Sequence, residues 1–131
     1  MTPLFTAVYE AYDNDAPLKA ALEGGLFLES APPGTPYPYG TFSLESREPL
    51  HMLTETWEAV KLKFAVFSDE SSAADVCEVF ETLDDVYNAG ELAVADYSLV
   101  SVLREHDSLE MIRPEGIWRY SARYRIVMKK A

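Results

Sequence analysis

Apolar residues recur at three- and four-residue spacing through Leu4, Phe5, Val8, Tyr9 and Tyr12, and Leu18, Ala21 and Leu22 resume the stripe. That period predicts a helical segment over Leu4–Glu23. Asn14 or Asp15 can cap a second turn with Pro17 in its first positions, so a break is expected near Asp13–Asp15, and Gly24-Gly25 ends the segment. A short strand at Leu26-Phe27-Leu28 leads into Ala31-Pro-Pro-Gly-Thr-Pro-Tyr-Pro-Tyr39, with four prolines between positions 32 and 38. Proline at that density forces extended or turning backbone and removes ladder donors. The stretch is read as a rigid loop within one domain, because too little chain precedes it to form another.

Tyr39–Arg47 reads as a strand and Glu48–Glu55 as a connection or flexible hairpin tip. Thr56–Phe67 alternates, with Val60, Leu62, Phe64 and Val66 on one face and Ala59, Lys61, Lys63 and Ala65 on the other, which predicts one buried face and one wet face. Ser72 with Asp75 starts a helix whose apolar stripe is Val76, Val79, Phe80, Leu83, Val86 and Tyr87, ending at Asn88-Ala89-Gly90. Asp75, Glu78, Glu81, Asp84 and Asp85 are assigned to its outer face. Two long strands follow, Tyr97–Ile112 and Ile117–Met128, joined by a turn at Pro114-Glu115-Gly116. In the last strand Trp118, Tyr120, Ala122, Tyr124, Ile126 and Met128 alternate with Arg119, Ser121, Arg123, Arg125, Val127 and Lys129. The order predicts an α+β fold: an antiparallel-dominated sheet of four to five strands, with an N-terminal and a central helix on one face.

The chain has 131 residues, 48% of them apolar, which fits a single domain over residues 1–131 with an ordinary core. No apolar run approaches the ~20 residues that span a bilayer. Met1-Thr2-Pro3 does not open a basic region followed by an apolar block, so no secretory signal is visible and the chain is expected to stay in the cytosol where it is made. One cysteine, Cys77, excludes an intramolecular disulfide and a multi-cysteine zinc site.

Charge changes the picture more. The net charge is −11, from 11 cations and 22 acids. Residues 119–131 hold five cations and no acid, which leaves residues 1–118 with six cations against 22 acids, a net of −16. Such a chain is poorly suited to gripping nucleic acid, whose phosphates demand a dominant positive surface. The basic strip suits an acidic protein surface better, including the Asp75–Asp85 helix of a neighbouring copy.

Catalytic motifs are not found. Cys77 lies beside Val76 on a helix that faces the core and reads as a buried structural thiol. His51 and His106 are the only imidazoles. His106, in Arg104-Glu105-His106-Asp107, reads as part of a solvated strand end. The histidines lack metal-ligand spacing, Gly24-Gly25 lacks a phosphate-loop context, and Glu81 with Asp85 on one helix face would repel. No metal, cofactor or catalytic residue is expected. Tyr37 and Tyr39, set between prolines, read either as rigid interface aromatics or as packing against the sheet edge. Together with Arg119, Arg123, Arg125, Asp84 and Asp85 they form the candidate interface set.

The order of elements, with the Ala31–Tyr39 proline-aromatic stretch and the closing hairpin through Pro114-Glu115-Gly116-Ile117-Trp118, resembles the tail-completion or tail-terminator proteins of long-tailed phages and prophages. The similarity runs from about Leu4 to Met128. It is sharpest before the second strand, where the family has an "aP.g..fPy" pattern and this chain carries Tyr37 in place of the frequent Phe. What the resemblance implies is a non-enzymatic virion protein of the tail or neck, present in the host cytoplasm during assembly. It would form a ring, typically of six subunits, at the head-proximal end of the tail tube, where it stops tube growth and joins the tail to the head connector. The partners implied are other copies of the chain, the tail tube protein and the head–tail connector protein, with no membrane involved. DNA would pass through without being specifically bound, and six copies at −11 would give −66, a lumen that repels phosphate.

Two alternatives follow from the residues, and a third from the resemblance. One is a small cytosolic ligand-binding or catalytic domain using Tyr120, Tyr124 or His106. Another is an adaptor that offers residues 32–38 to a proline-recognition domain. The third is a different neck protein of related fold.

Overall fold

A computed structural model describes all residues from Met1 to Ala131. Helix α1 (Thr2–Asp13) buries Leu4, Ala7, Val8 and Tyr12. Asp15 caps α2 (Ala16–Ala21), its Oδ1 accepting from the Leu18 N–H at 2.9 Å, so the helical segment breaks where the sequence predicts. Strands β1 (Gly25–Leu28), β2 (Tyr39–His51) and β3 (Thr56–Ser68) come next, followed by α3 (Ala73–Tyr87), β4 (Tyr97–Ile112) and β5 (Ile117–Lys130). The sheet order is β1-β2-β3-β5-β4. Only the β1/β2 pair is parallel, so the fold is the expected antiparallel-dominated α+β arrangement. None of its helices is long and apolar enough to cross a membrane.

The proline loop carries the chain back so that β2 starts beside the start of β1. Its return is packed on Gly24, whose N–H donates to the Pro38 carbonyl at 2.9 Å. A Cβ at Gly24 would lie 1.9 Å from the Pro36 carbonyl oxygen, so this crossing admits only glycine.

All three helices cover one face of the sheet. Strands β2, β3 and β5 send Phe42, Val60, Leu62, Phe64, Val66, Tyr124, Ile126 and Met128 into a single core of 23 buried residues. Phe64 sits at its centre, 4.7 Å from the Tyr87 ring and 5.3 Å edge-on to Tyr124. The Tyr87 hydroxyl donates to the Val8 carbonyl at 2.7 Å and ties the last turn of α3 to α1.

Three readings of the sequence need correction. The segment Glu48–Glu55 is half strand, because β2 and β3 stay in register to His51 opposite Thr56, and the hairpin tip is confined to residues 52–55. Ala59 and Ala65 lie on the open face yet are 2% and 6% exposed, small side chains flanked across the strands by Glu48 and Val127 and by Thr41 and Ser121. Asp84 does not join the outer face of α3, for the reason given below.

Candidate assembly interface

The face of the sheet turned away from the helices is built chiefly by β5, which presents Arg119, Arg123, Arg125 and Lys129 there, while β3 adds Lys61 and Lys63. Acids from the flanking strands and from the β2–β3 tip meet most of them. Glu45 takes Arg123 in two bonds of 2.6 and 3.1 Å. Lys61 pairs with Glu105 at 3.4 Å, Lys129 with Glu55 at 2.8 Å, and Arg119 with Glu110. Lys63 and Arg125 have no ion-pair partner.

Two β-bulges arrange this face. One lies between Leu44 and Ser46 and the other between Arg104 and His106, and they give Glu45 and Glu105 to the basic surface. The second also flips the rest of β4, so that His106, Ser108 and Glu110 face the open side. His106 is therefore not at a strand end. It stands across from Arg123 on the wall of a recess of about 170 Å³ shared with Glu45, Lys63, Glu110 and Arg119. The Nε of Arg119 is buried there without a hydrogen-bond partner.

On the helix side, a polar seam joins α3 to the β4–β5 edge. The Asp84 carboxylate accepts from the Tyr124 hydroxyl at 2.6 Å and from the Arg104 guanidinium at 2.9 Å. It is thus turned inward, while Asp85 stays exposed beside it. Burial, and then the bond to Asp84, push the Tyr124 phenol far above its ordinary pKa. Tyr120 donates to Asp107 at 2.5 Å and stacks on Phe80 with ring centroids 4.0 Å apart. That hydrogen bond first, with burial second, raises the Tyr120 phenol to about 12. Both phenols are donors at neutral pH. They lie on the opposite side of the sheet from His106, so the structure does not bring together the Tyr120, Tyr124 and His106 set that a ligand-binding or catalytic reading would use. Cys77 is half-buried against the core. No group of three or more His, Cys, Asp or Glu side chains is placed to hold a metal ion.

Tyr37 and Tyr39 sit 5.3 Å apart, and Tyr39 stacks on Phe67 at 4.9 Å. Phe67 is the register partner of Arg119, so the tyrosines extend the basic face with a half-buried aromatic row. Sequence periodicity could not supply that neighbourhood, because Tyr39 and Phe67 are joined only by strand pairing. At the far end of β2 and β3, Met52 and Leu53 project from the hairpin tip, Leu53 wholly exposed.

This helix-covered mixed sheet is shared with two solved structures. The chain superposes on a protein from the virion of a native gene transfer agent particle with a TM-score of 0.78, over 95% of this chain and 92% of that one, at 17% identity. It superposes on the gp17 protein of bacteriophage SPP1 with a TM-score of 0.52, over 94% and 86% of the two chains, at 20% identity. At these identities the likeness is one of fold. No protein-family model matches the chain, and no curated protein does.

Proposed function

We propose that this chain is a structural, non-enzymatic subunit of a phage-like virion, built into the tail or neck. In the finer form of the reading it closes a ring of six copies at the head-proximal end of the tail tube, ends tube growth and meets the head connector. The observation that carries the reading is the agreement of fold with a gene transfer agent virion protein over 95% of the chain. A closed ring needs two different complementary patches on each subunit. The acidic outer face of α3 and the cation-bearing sheet face meet that requirement.

The test is to tag the chain in its native host, purify particles and locate the tag by electron microscopy. The expected result is one site per particle, between head and tail, with overlong or headless tails when the gene is removed. Particles that lack the chain, or that assemble normally without it, would overturn the reading. The isolated ring is expected to leave duplex DNA unbound at about physiological salt, because its net charge opposes the phosphates.

A further inference from the structure

We propose that neighbouring copies join head to tail, the acidic outer face of α3 of one copy seating on the basic sheet face of the next, with a carboxylate entering the recess beside Lys63 and Arg119. This deepens the ring reading and rests on it.

The argument starts from where charge lies along the chain. Residues 69–96 hold nine acids and no Lys or Arg, whereas residues 119–131 hold five cations and no acid. The fold puts the acids of α3 on the helix side of the sheet and the cations of β5 that alternate with the core on the other side. The two patches face away from each other. They cannot satisfy each other within one molecule, and each is presented to a second copy.

Each patch also has unmet capacity. Asp75, Glu78, Glu81 and Asp85 are exposed and make no ion pair. Asp85 stands in the last turn of α3, which has no basic residue, and there the helix dipole disfavours negative charge. A cationic partner would relieve that cost. On the sheet face Lys63 and Arg125 lack ion-pair partners, and the buried Arg119 Nε has no acceptor. The recess at Lys63 and Arg119 has room, at about 170 Å³, for a carboxylate that would meet Lys63, while Arg125, outside the recess, is left for a second acid.

The dimensions agree as well. The acidic row from Asp75 to Asp85 spans about 15 Å at the rise of an α-helix. The basic row from Arg119 to Arg125 spans about 20 Å at the rise of a strand. Leu103, exposed on the open face as the register partner of Arg125, offers an apolar contact next to the charges. Complementarity of this kind sets register and encounter rate more than affinity, which suits a subunit that must add in one orientation.

Zero-length carbodiimide coupling of the full chain, followed by mass-spectrometric mapping, tests the contact directly. Lys61 and Lys63 lie across the sheet from the α3 carboxylates, so any bond between them and Asp75, Glu78, Glu81 or Asp85 must be intermolecular. Such bonds are expected in the dimer and larger species, and high salt is expected to suppress them. A second measurement uses two charge-reversed variants, Lys63→Glu with Arg125→Glu, and Glu78→Lys with Glu81→Lys. None of the four residues has an ion pair within the chain, so both variants are expected to fold. Each alone should lose self-association by roughly tenfold or more, through like-charge contacts. Mixed together they should recover it, because alternating copies restore opposite charges at every joint. Association through other residue pairs, or variants that associate like the parent chain, would overturn this contact and leave the ring reading standing. A chain that stays monomeric from micromolar to millimolar concentration and is absent from particles would sink both.

Discussion

Phe64 and Lys63 are neighbours on β3 and could hardly differ more in what they do. Phe64 is 1% exposed and touches rings from β2, α3 and β5. Lys63 is exposed on the bare face with no ion-pair partner. The contrast extends over the whole sheet. One face holds the helices and supplies the apolar burial that stabilises the fold, and the other carries charges that contribute little to folding. Core packing and surface charge are thereby separated by the thickness of a single strand.

The sharpest way to break this comparison is to truncate both residues. Phe64→Ala is expected to cost about 3–5 kcal/mol, because it removes a buried ring and leaves a cavity that its neighbours fill only in part. Lys63→Ala is expected to stay within about 0.5 kcal/mol. Urea unfolding of the two variants checks both. Comparable losses would mean that the open face is part of the folding core.

Next in size is Tyr124→Phe, which keeps the ring and removes the hydroxyl that holds Asp84. A cost of about 1–3 kcal/mol is expected, because the half-buried carboxylate keeps Arg104 but loses its phenol donor. This variant probes the one polar seam on the apolar side. A change near zero would show that the seam is solvated and that the helix side is less dry than its packing suggests.

Much of this architecture is legible in the sequence, and the parts that are not share a cause. The alternation of β5 from Trp118 to Met128 reveals both faces at once, because no bulge interrupts it. In β4 the same reasoning fails at Glu105. One extra residue there reverses the orientation of His106 and everything after it, and no local feature of Arg104-Glu105-His106-Asp107 announces the insertion. Asp84 is misassigned on similar grounds. A helical period places it near the outer face, but its partners Arg104 and Tyr124 lie 20 and 40 residues further along the chain. The recess at Lys63, Arg119 and Arg123 likewise draws on four strands. Periodicity reports which side of its own element a residue takes, and long-range pairing decides whom it meets.

Extremes of pH separate the faces without mutation. The phenols of Tyr87, Tyr120 and Tyr124 on the helix side all titrate above their ordinary value, Tyr120 at about 12. A phenol whose folded pKa is raised stabilises the fold fully below its unfolded pKa near 10, and that contribution is lost as pH climbs through the folded value. The urea midpoint is therefore expected to decline from about pH 10 upward. Tyr124→Phe should blunt the decline. On the open face, hydrogen bonds from Lys129 and then Trp57 lower the Glu55 carboxyl. Its contribution is present above the ordinary carboxylate range and disappears as pH falls through the folded value, and because the group is solvated the effect at the acid end should be slight. A steep acid loss that carboxylates of the open face explain, with a flat alkaline limb, would reverse the assignment of stability to the two sides.

The smallest expected effect belongs to the best-formed pair on the open face. Arg123 meets Glu45 in two hydrogen bonds, a geometry that in a dry interior would couple the groups strongly. Here each side chain is more than a third exposed, so water screens the attraction and holding two long side chains in place costs entropy. A double-mutant cycle of Arg123→Ala and Glu45→Ala is expected to give no more than about 1 kcal/mol, shrinking further in molar salt. The same cycle read on self-association has a different expected outcome. Arg123→Ala removes a cation that the α3 row of the next copy would meet, whereas Glu45→Ala frees Arg123 for it. The two single variants should therefore move association in opposite directions while barely moving the urea midpoint. If both weaken association equally, the pair acts as a rigid unit of the sheet, and the open face is then more a part of the scaffold than a surface for another copy.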